Sequence, residues 1–236
     1  MSGLVNPGTT CYRNAVLQLM RYAPGLWAWM NSVPHKTEVC IELRRLFARM
    51  NASKDLINPI EFNALIDKNP TYTHGIGADA AEFMNFLRIN LDRDGETGWL
   101  SLDLKDFRKS GILELLQTLK KVDIPMVTVH ICRHKSDNTV LTDAVAIPDR
   151  VMVNGQELRL HGVISHIGKS TNSGHYRTLI KGAFGDWISY NDTAVRPVEQ
   201  APKKPDECVL LVAYVPSKNY SGSVFSHLFG ASARRV

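Results

Sequence analysis

Residues 3–20, GLVNPGTTCYRNAVLQLM, place Cys11 where a Pro-Gly turn ends and an apolar helical pattern begins. The pattern predicts a helix that follows Cys11, with Thr9 or Thr10 as its N-cap. Backbone N–H groups and the helix dipole favour a thiolate at such a position. Cys11 is therefore either a small core side chain or a nucleophile, and the rest of the chain has to supply its chemical partners.

A thiolate nucleophile needs a histidine that carries the proton and a polar group that orients the imidazole. Among the eight histidines, His175 stands apart because it lies in residues 172–180, NSGHYRTLI, where a strand is predicted to start after a Ser-Gly turn. Residues 186–195, DWISYNDTAV, read as the next strand. Two antiparallel neighbours would bring Asn191 beside His175, where its side chain could select the ring tautomer. This is a papain-like order of cysteine, histidine and asparagine.

The periodicity of the chain changes near residue 120. Apolar residues recur at helical spacing before that point and alternate at strand spacing after it. The Asn154-Gly155 pair predicts a hairpin turn between two of the strands. We therefore predict an α+β fold with one catalytic domain over 1–215, in which about 1–120 is helical and about 121–215 forms an antiparallel sheet. The Ser- and Gly-rich residues 216–236 are interpreted as a tail or linker.

The composition restricts the class of protein. The 236 residues are 44% hydrophobic and 22% charged, which suits a folded domain. No secretory signal or membrane-spanning apolar run is recognised. The net charge of +5 comes from scattered basic pairs rather than a basic stripe with aromatics, so nucleic acid is not expected as a partner. The cysteines form no CxxC or CxxH pair, so no metal is expected. Reduced thiols are the default reading of these four residues, Cys11, Cys40, Cys132 and Cys208.

Four parts of the chain resemble sequence blocks of the ubiquitin-specific proteases, in that family's order. Residues 3–20 are similar to its cysteine box, GLxNxGNTCYxNxxLQxL. Residues 163–180 and 186–195 together resemble its histidine box. Residues 77–87, GADAAEFMNFL, resemble its QDAxEFLxxLL helix, and residues 124–134, IPMVTVHICRH, resemble its LPxxLxxHLKRF strand. The resemblance implies a papain-like cysteine protease fold, with a helical thumb packed on an antiparallel β-sheet palm.

The resemblance also implies a role for each matching catalytic position. Cys11 matches the nucleophile, His175 the general base and Asn191 the third residue of the triad. Asn6 matches the side-chain donor of the oxyanion hole, and Asp192 matches an acidic neighbour that supports the triad. An amide N–H at the oxyanion is worth about 3 kcal/mol in the transition state.

Four further positions match contacts to the C-terminal tail of ubiquitin. Asp79 and Glu82 match carboxylates that pair with the basic tail, as Arg–carboxylate forks would allow. Gly174 and Tyr176 flank the general base, and the missing side chain at Gly174 would let a Gly-Gly tail approach. Plainer interpretations remain open for three of the assigned residues. Asn6 could cap a turn, Asp79 could be a helix N-terminal acid, and Glu82 could hold its helix to a loop.

The sequence departs from the family in one large feature and several small ones. The family's fingers insertion carries two CxxC pairs that bind zinc, whereas no cysteine lies between Leu91 and Val127 here. The predicted enzyme is thus a compact, divergent member without a fingers subdomain. Pro7, Thr9 and Arg13 replace common family residues near the nucleophile and could reshape the side of the site that holds the leaving group.

The predicted function is hydrolysis of the isopeptide bond between the terminal glycine of ubiquitin, or a ubiquitin-like modifier, and a substrate lysine. No metal or organic cofactor is expected, and the partners would be ubiquitin, polyubiquitin and their conjugates. Two alternatives stay open, a papain-like protease that processes a polyprotein and a catalytically idle ubiquitin-binding module. The expected location is the cytoplasm or nucleus, or the host cytosol if the source is a virus or pathogen.

Overall fold

A computed structural model describes residues 1–32, 37–91, 98–120, 123–133, 139–170, 173–182, 185–199 and 207–221. Within these ranges the chain forms six α-helices and one eight-stranded sheet. The helices are α1 (Cys11–Arg21), α2 (Leu26–Ser32), α3 (Glu38–Ala52), α4 (Ile60–Ile66), α5 (Ala80–Leu91) and α6 (Ile112–Gln117). The described helices include none with both the length and the apolar character needed to cross a membrane.

The strands are β1 (Trp99–Leu104), β2 (Met126–Ile131), β3 (Arg150–Val153), β4 (Gln156–Ser170), β5 (Ser173–Lys181), β6 (Trp187–Asn191), β7 (Ala194–Val198) and β8 (Glu207–Pro216). Their order across the sheet is β1-β2-β8-β4-β5-β6-β7, and β3 pairs with β4 beside this path. The β1–β2 pair is parallel, and all other pairs are antiparallel.

Helix α1 is the central element of the helical half. Every residue from Tyr12 to Arg21 is buried, because the helix packs between the other helices and the sheet. Its strongest attachment to the sheet is to β5, where the Thr178 hydroxyl donates a 2.6 Å hydrogen bond to the carbonyl of Ala15. The end of α1 that carries Cys11 is thereby held against the strand that carries His175.

Two apolar clusters stabilise the sheet from its two sides. The larger one joins α1–α5 to one face of the sheet, and its fully buried members include Phe47 and Phe83. The smaller one covers the other face, where α6 and β3 pack through Ile112, Leu116 and Val151. Burial of apolar surface on both faces is the main favourable contribution to the stability of this layered fold.

The predicted α+β class, a helical layer against a mainly antiparallel sheet, is confirmed. The Asn154-Gly155 hairpin is also present, with positive φ angles of 47° and 80° at its two residues. One local prediction was wrong, because strand β1 lies in the part of the chain assigned to helices. Residues 217–221 of the predicted tail form a 3₁₀ helix, and 222–236 lie outside the described residues.

Candidate functional site

A cleft of about 670 Å³ lies between the start of α1, the start of β5 and the loop before α5. The structure brings the predicted nucleophile and base to this cleft from opposite halves of the chain. Cys11 is half-buried on one wall and His175 is half-buried on the other. The cleft is lined by Gly8, Thr9, Cys11, Tyr12, Thr71, Gly75, Gly77, Ala78, Asp79, Glu82, His166, Ser173, Gly174, His175 and Tyr176.

His175 is held between Cys11 and Asn191. Its Nε2 atom lies 2.5 Å from the Asn191 Oδ1, so Nε2 carries the hydrogen and donates it to the amide oxygen. A hydrogen bond to Cys11 raises the pKa of His175 to about 9, against the opposing effect of burial, and the bond to Asn191 adds to the rise.

The raised pKa of His175 keeps its imidazole protonated at neutral pH. A positive imidazolium beside a cysteine stabilises the thiolate, which is the nucleophilic form of that side chain. The start of a helix acts in the same direction, since its N–H groups carry partial positive charge. The arrangement therefore supports attack by sulfur on an electrophilic carbon in the cleft.

Asp192 lies next to His175 and Asn191 and orients two amides. Its Oδ2 accepts a 2.9 Å hydrogen bond from the Asn6 Nδ2, and its Oδ1 accepts a 2.8 Å bond from the Asn14 Nδ2. The backbone adopts a φ of +50° at this residue, which aspartate tolerates better than most side chains do. The nearer carboxylate oxygen is 3.9 Å from the His175 Nε2, so Asp192 adds negative charge close to the imidazolium without replacing Asn191 as its partner.

Asn6 shapes the turn that leads into Cys11. Its Oδ1 accepts hydrogen bonds from the backbone N–H groups of Gly8 and Thr10, at 2.9 and 3.1 Å, and from the Thr10 hydroxyl. Thr10 occupies the predicted N-cap position of α1, but its side chain makes no capping hydrogen bond to the helix and is held by Asn6 instead. One amide hydrogen of Asn6 goes to Asp192, and its second amide hydrogen is the one that could serve an oxyanion.

Asn14 is a site residue that the sequence analysis missed. It is buried one turn after Cys11 on α1, and it ties that helix to Asp192 and to the Val5 carbonyl. The signals in the sequence were its match to the asparagine of the CYxN part of the cysteine box and its spacing from Cys11, since residues three apart share a helix face. These signals do not predict that the Asn14 side chain donates a hydrogen bond to Asp192, which lies far away in the sequence.

The predicted tail-binding acids also line the cleft. Asp79 caps α5, because its Oδ1 accepts hydrogen bonds from the N–H groups of Ala81 and Glu82. Its Oδ2 accepts a 3.2 Å bond from the Tyr176 hydroxyl. Burial and the neighbouring Asp79 carboxylate raise the pKa of Tyr176, so that hydroxyl remains a donor. Capping explains the position of Asp79 without a ligand, while the Glu82 side chain is exposed on the cleft wall.

Gly174 lies against a neighbouring histidine as well as against the cleft. A Cβ atom at this position would lie 2.1 Å from the Nε2 of His166 on β4. The His166 ring in turn packs on Tyr176, with 5.0 Å between the ring centroids. The requirement for glycine therefore arises from packing inside the protein, whether or not a substrate also passes here.

The expectation that Arg13 reshapes the leaving-group side was wrong. The Arg13 side chain is 1% exposed and points away from the cleft towards α4 and the 3₁₀ helix over Pro70–Tyr72. It forms a 2.7 Å ion pair with Asp67, and it also donates to the Asn63 side chain and the Tyr72 carbonyl. Arg13 is thus a buried link between helices.

Comparison with known proteins places this geometry in a family. The model of the ubiquitin carboxyl-terminal hydrolase family matches residues 2–124 and 98–215. Ubiquitin carboxyl-terminal hydrolase 13 of Gallus gallus is 34% identical over 79 residues, which are 34% of this chain. The chain covers 9% of the length of that relative.

Two solved structures share the fold. One is the SAGA DUB module of Ubp8, Sgf11, Sus1 and Sgf73 bound to monoubiquitin, with a TM-score of 0.64. The other is the same module bound to ubiquitin aldehyde, with a TM-score of 0.65. Each matched chain is 19% identical, and the match covers 92% of this chain and 69% of the other. The similarity extends over nearly the whole described fold.

Proposed function

Because this chain belongs to the ubiquitin carboxyl-terminal hydrolase family, we propose that it is a thiol-dependent deubiquitinase. The proposed reaction is hydrolysis of the isopeptide bond between the terminal glycine of ubiquitin and a lysine side chain. One observation carries the proposal: His175 has hydrogen-bond partners in both Cys11 and Asn191. That arrangement is what a proton shuttle between a nucleophile and an orienting group requires.

The first half of the proposed reaction forms an acyl-enzyme. The Cys11 thiolate attacks the carbonyl carbon of the glycine, so that a C–S bond forms and the carbonyl oxygen becomes an oxyanion. The second amide hydrogen of Asn6 and the backbone N–H of Cys11 stabilise that charge. The C–N bond then breaks as the His175 imidazolium gives its proton to the leaving lysine amine.

The second half regenerates the enzyme. His175, now neutral, takes a proton from water, and the resulting hydroxide attacks the thioester carbon. The C–S bond breaks and releases the Cys11 thiolate and the glycine carboxylic acid, which loses its proton to solvent, while His175 is left protonated for the next cycle. Asn191 holds the ring throughout, which preserves the tautomer that both proton transfers need. The residues of this chain thus supply each proton transfer in the cycle.

The cleft also suits an extended, basic tail. Asp79 and Glu82 form an acidic wall of its lining, and Gly174 and Tyr176 flank His175 beside it. A carboxylate wall favours arginine side chains through paired hydrogen bonds. We assign this wall to the ubiquitin tail. We also propose the cytoplasm or nucleus as the location of the enzyme, and the four free cysteines support such a reducing compartment.

Labelling by a ubiquitin with a C-terminal electrophile tests the proposal. We expect one adduct, mapped to Cys11 by mass spectrometry, and no adduct with Cys11→Ala. His175→Ala should slow labelling more than Asn191→Ala does, because it removes the proton shuttle rather than its support. Cys208→Ala, which removes a buried thiol outside the cleft, is the matched control and should be labelled like the parent protein.

Two other results would refute the proposed function. Failure to form the adduct, together with cleavage of a peptide bond in a fused C-terminal peptide, would identify a processing protease. Binding of ubiquitin without labelling or cleavage would identify an idle binding module. A parallel set of probes built on ubiquitin-like modifiers would show which modifier the cleft accepts.

A further inference from the structure

A second group of reactive side chains lies at the edge of the sheet formed by β1 and β2. The parallel register pairs Asp103 directly with His130, and Cys132 follows just after the end of β2. The His130 Nδ1 is 3.2 Å from the Asp103 Oδ1 and 3.9 Å from the Cys132 Sγ. The carboxylate, imidazole and thiol donor atoms all lie within 4.8 Å of one another.

These separations approach those of ligands on one tetrahedral ion. Zinc bonds are about 2.3 Å to sulfur and about 2.0–2.2 Å to imidazole nitrogen and carboxylate oxygen. Tetrahedral angles then place sulfur and nitrogen about 3.6 Å apart, and nitrogen and oxygen about 3.4 Å apart. The observed 3.9 and 3.2 Å differ from those values by a few tenths of an ångström. The carboxylate oxygen and the sulfur lie within 4.8 Å of each other, and side-chain rotations that bring them to about 3.6 Å would complete the set around an ion.

The ring nitrogen that the partners of His130 contact indicates a shared ligand rather than a proton relay. At His130 the thiol and the carboxylate both face Nδ1. One nitrogen cannot relay a proton between two groups that contact it from the same side of the ring, but it can share an ion with them.

We propose that Asp103, His130 and Cys132 bind one Zn²⁺ ion. A thiolate, an imidazole and a carboxylate form the mixed donor set that this borderline-soft ion accepts, and a water molecule would complete four-coordination. Binding requires Cys132 to lose its proton to solvent and His130 to bind through a neutral Nδ1. Entry is open, because Asp103 is exposed and the other two ligands are half-buried.

The ion would join strands that lie at the sheet edge. Strand β1 pairs with β2 at the end of the strand order, and its other edge pairs with no further strand of that path. Three bonds to one ion would therefore join β1 to β2 in addition to the backbone hydrogen bonds between these strands. The expectation of no metal came from the absence of CxxC and CxxH pairs, a test that cannot detect ligands on two separate strands.

Cobalt(II) titration of the Cys11→Ala variant, freed of metal with a chelator, tests the site. Cobalt(II) mimics zinc and shows a thiolate charge-transfer band, and Cys11→Ala removes the other cysteine–histidine pair. We expect the band to saturate at one equivalent and to vanish when Zn²⁺ displaces the cobalt. Adding Cys132→Ser should abolish the band, and adding His130→Gln or Asp103→Asn should weaken binding at least tenfold.

Controls separate ligand loss from misfolding. Asp103→Asn alters an exposed side chain, so its metal-free melting temperature should match that of the Cys11→Ala parent. Adding Cys208→Ala should leave the band and the stoichiometry unchanged, since that thiol is outside the group. Absence of the band in the parent, or a band that Cys132→Ser leaves intact, would overturn the proposal. An Asp103→Asn variant that binds cobalt as tightly as the parent would remove the carboxylate from the site.

Discussion

The Gly174→Ala substitution tests whether internal packing requires glycine next to the proposed general base. An added Cβ would lie 2.1 Å from the Nε2 and 2.5 Å from the Cε1 of His166, and 2.9 Å from the Ile167 carbonyl oxygen. The first separation is more than an ångström shorter than an ordinary contact of about 3.4 Å. The His166 ring has little room to retreat, because it is 2% exposed and packs on Tyr176.

The expected cost follows from overpacking. Forcing an extra methyl group into a filled interior costs about 1–3 kcal/mol, so we expect a loss of about 2 kcal/mol. For a chain of this size that corresponds to a melting temperature about 4–8 °C lower. Gly77→Ala is the matched control, because Gly77 lines the same cleft and its added Cβ would meet open space. Its melting temperature should change little.

A double-mutant cycle with His166→Ala identifies the cause. Removing the ring should relieve the clash, so the double variant should be more stable than the sum of the single effects by roughly 1–2 kcal/mol. Thermal and denaturant unfolding of the four proteins measures this coupling. A Gly174→Ala protein as stable as the parent, or additive effects in the cycle, would refute the packing argument. Turnover by the double variant is a separate readout, and it stays low if a substrate tail must also pass Gly174.

Three further predictions follow from the buried contacts and the charge of the site. The pKa of His175, followed by NMR, should be about 9 in the parent and fall towards 6.5 in Cys11→Ala, because the bond to Cys11 is the largest cause of the rise. Because folding raises this pKa, the protonated His175 contributes free energy of unfolding in full below pH 6.5, and the contribution is lost as the pH rises through about 9. Equal titration midpoints of His175 in the parent and in Cys11→Ala would contradict Cys11 as the cause of the raised pKa. Asn6→Ala and Asp192→Ala should each lower kcat on a fluorogenic ubiquitin substrate by a factor of about 10²–10³. The double variant should be no slower than the slower single variant, since Asp192 acts by orienting Asn6. Effects that multiply in the double variant would show that the two residues act independently. Arg13→Met should lower the free energy of unfolding in denaturant by about 2–3 kcal/mol, because it leaves Asp67 and the Tyr72 carbonyl without their buried donor. Turnover at 25 °C should be retained. Unchanged stability with lost turnover would instead place Arg13 in the cleft.

Much of the candidate site was predicted from local patterns in the sequence, which indicated the helix and the two strands that carry it. The apolar face after Cys11 predicted α1, and the turn signals around His175 and Asn191 predicted two neighbouring antiparallel strands. The described structure contains those elements, and β5 pairs with β6 in the expected direction. Neighbouring strands joined by a short loop bring His175 and Asn191 together by geometry alone, so few alternative pairings competed.

The tertiary structure decided which distant groups meet. The contact between Asn14 and Asp192 joins α1 to the turn after β6, and the pairing of Asp103 with His130 depends on the register of two parallel strands. Register and helix rotation are set by the packing of the whole core, which no local window of sequence contains. Sequence alone therefore determined the order of the elements and the candidate nucleophile, base and orienting residue. The network around Asp192, the buried role of Arg13 and the group at the sheet edge emerged only once the helices and strands had packed together.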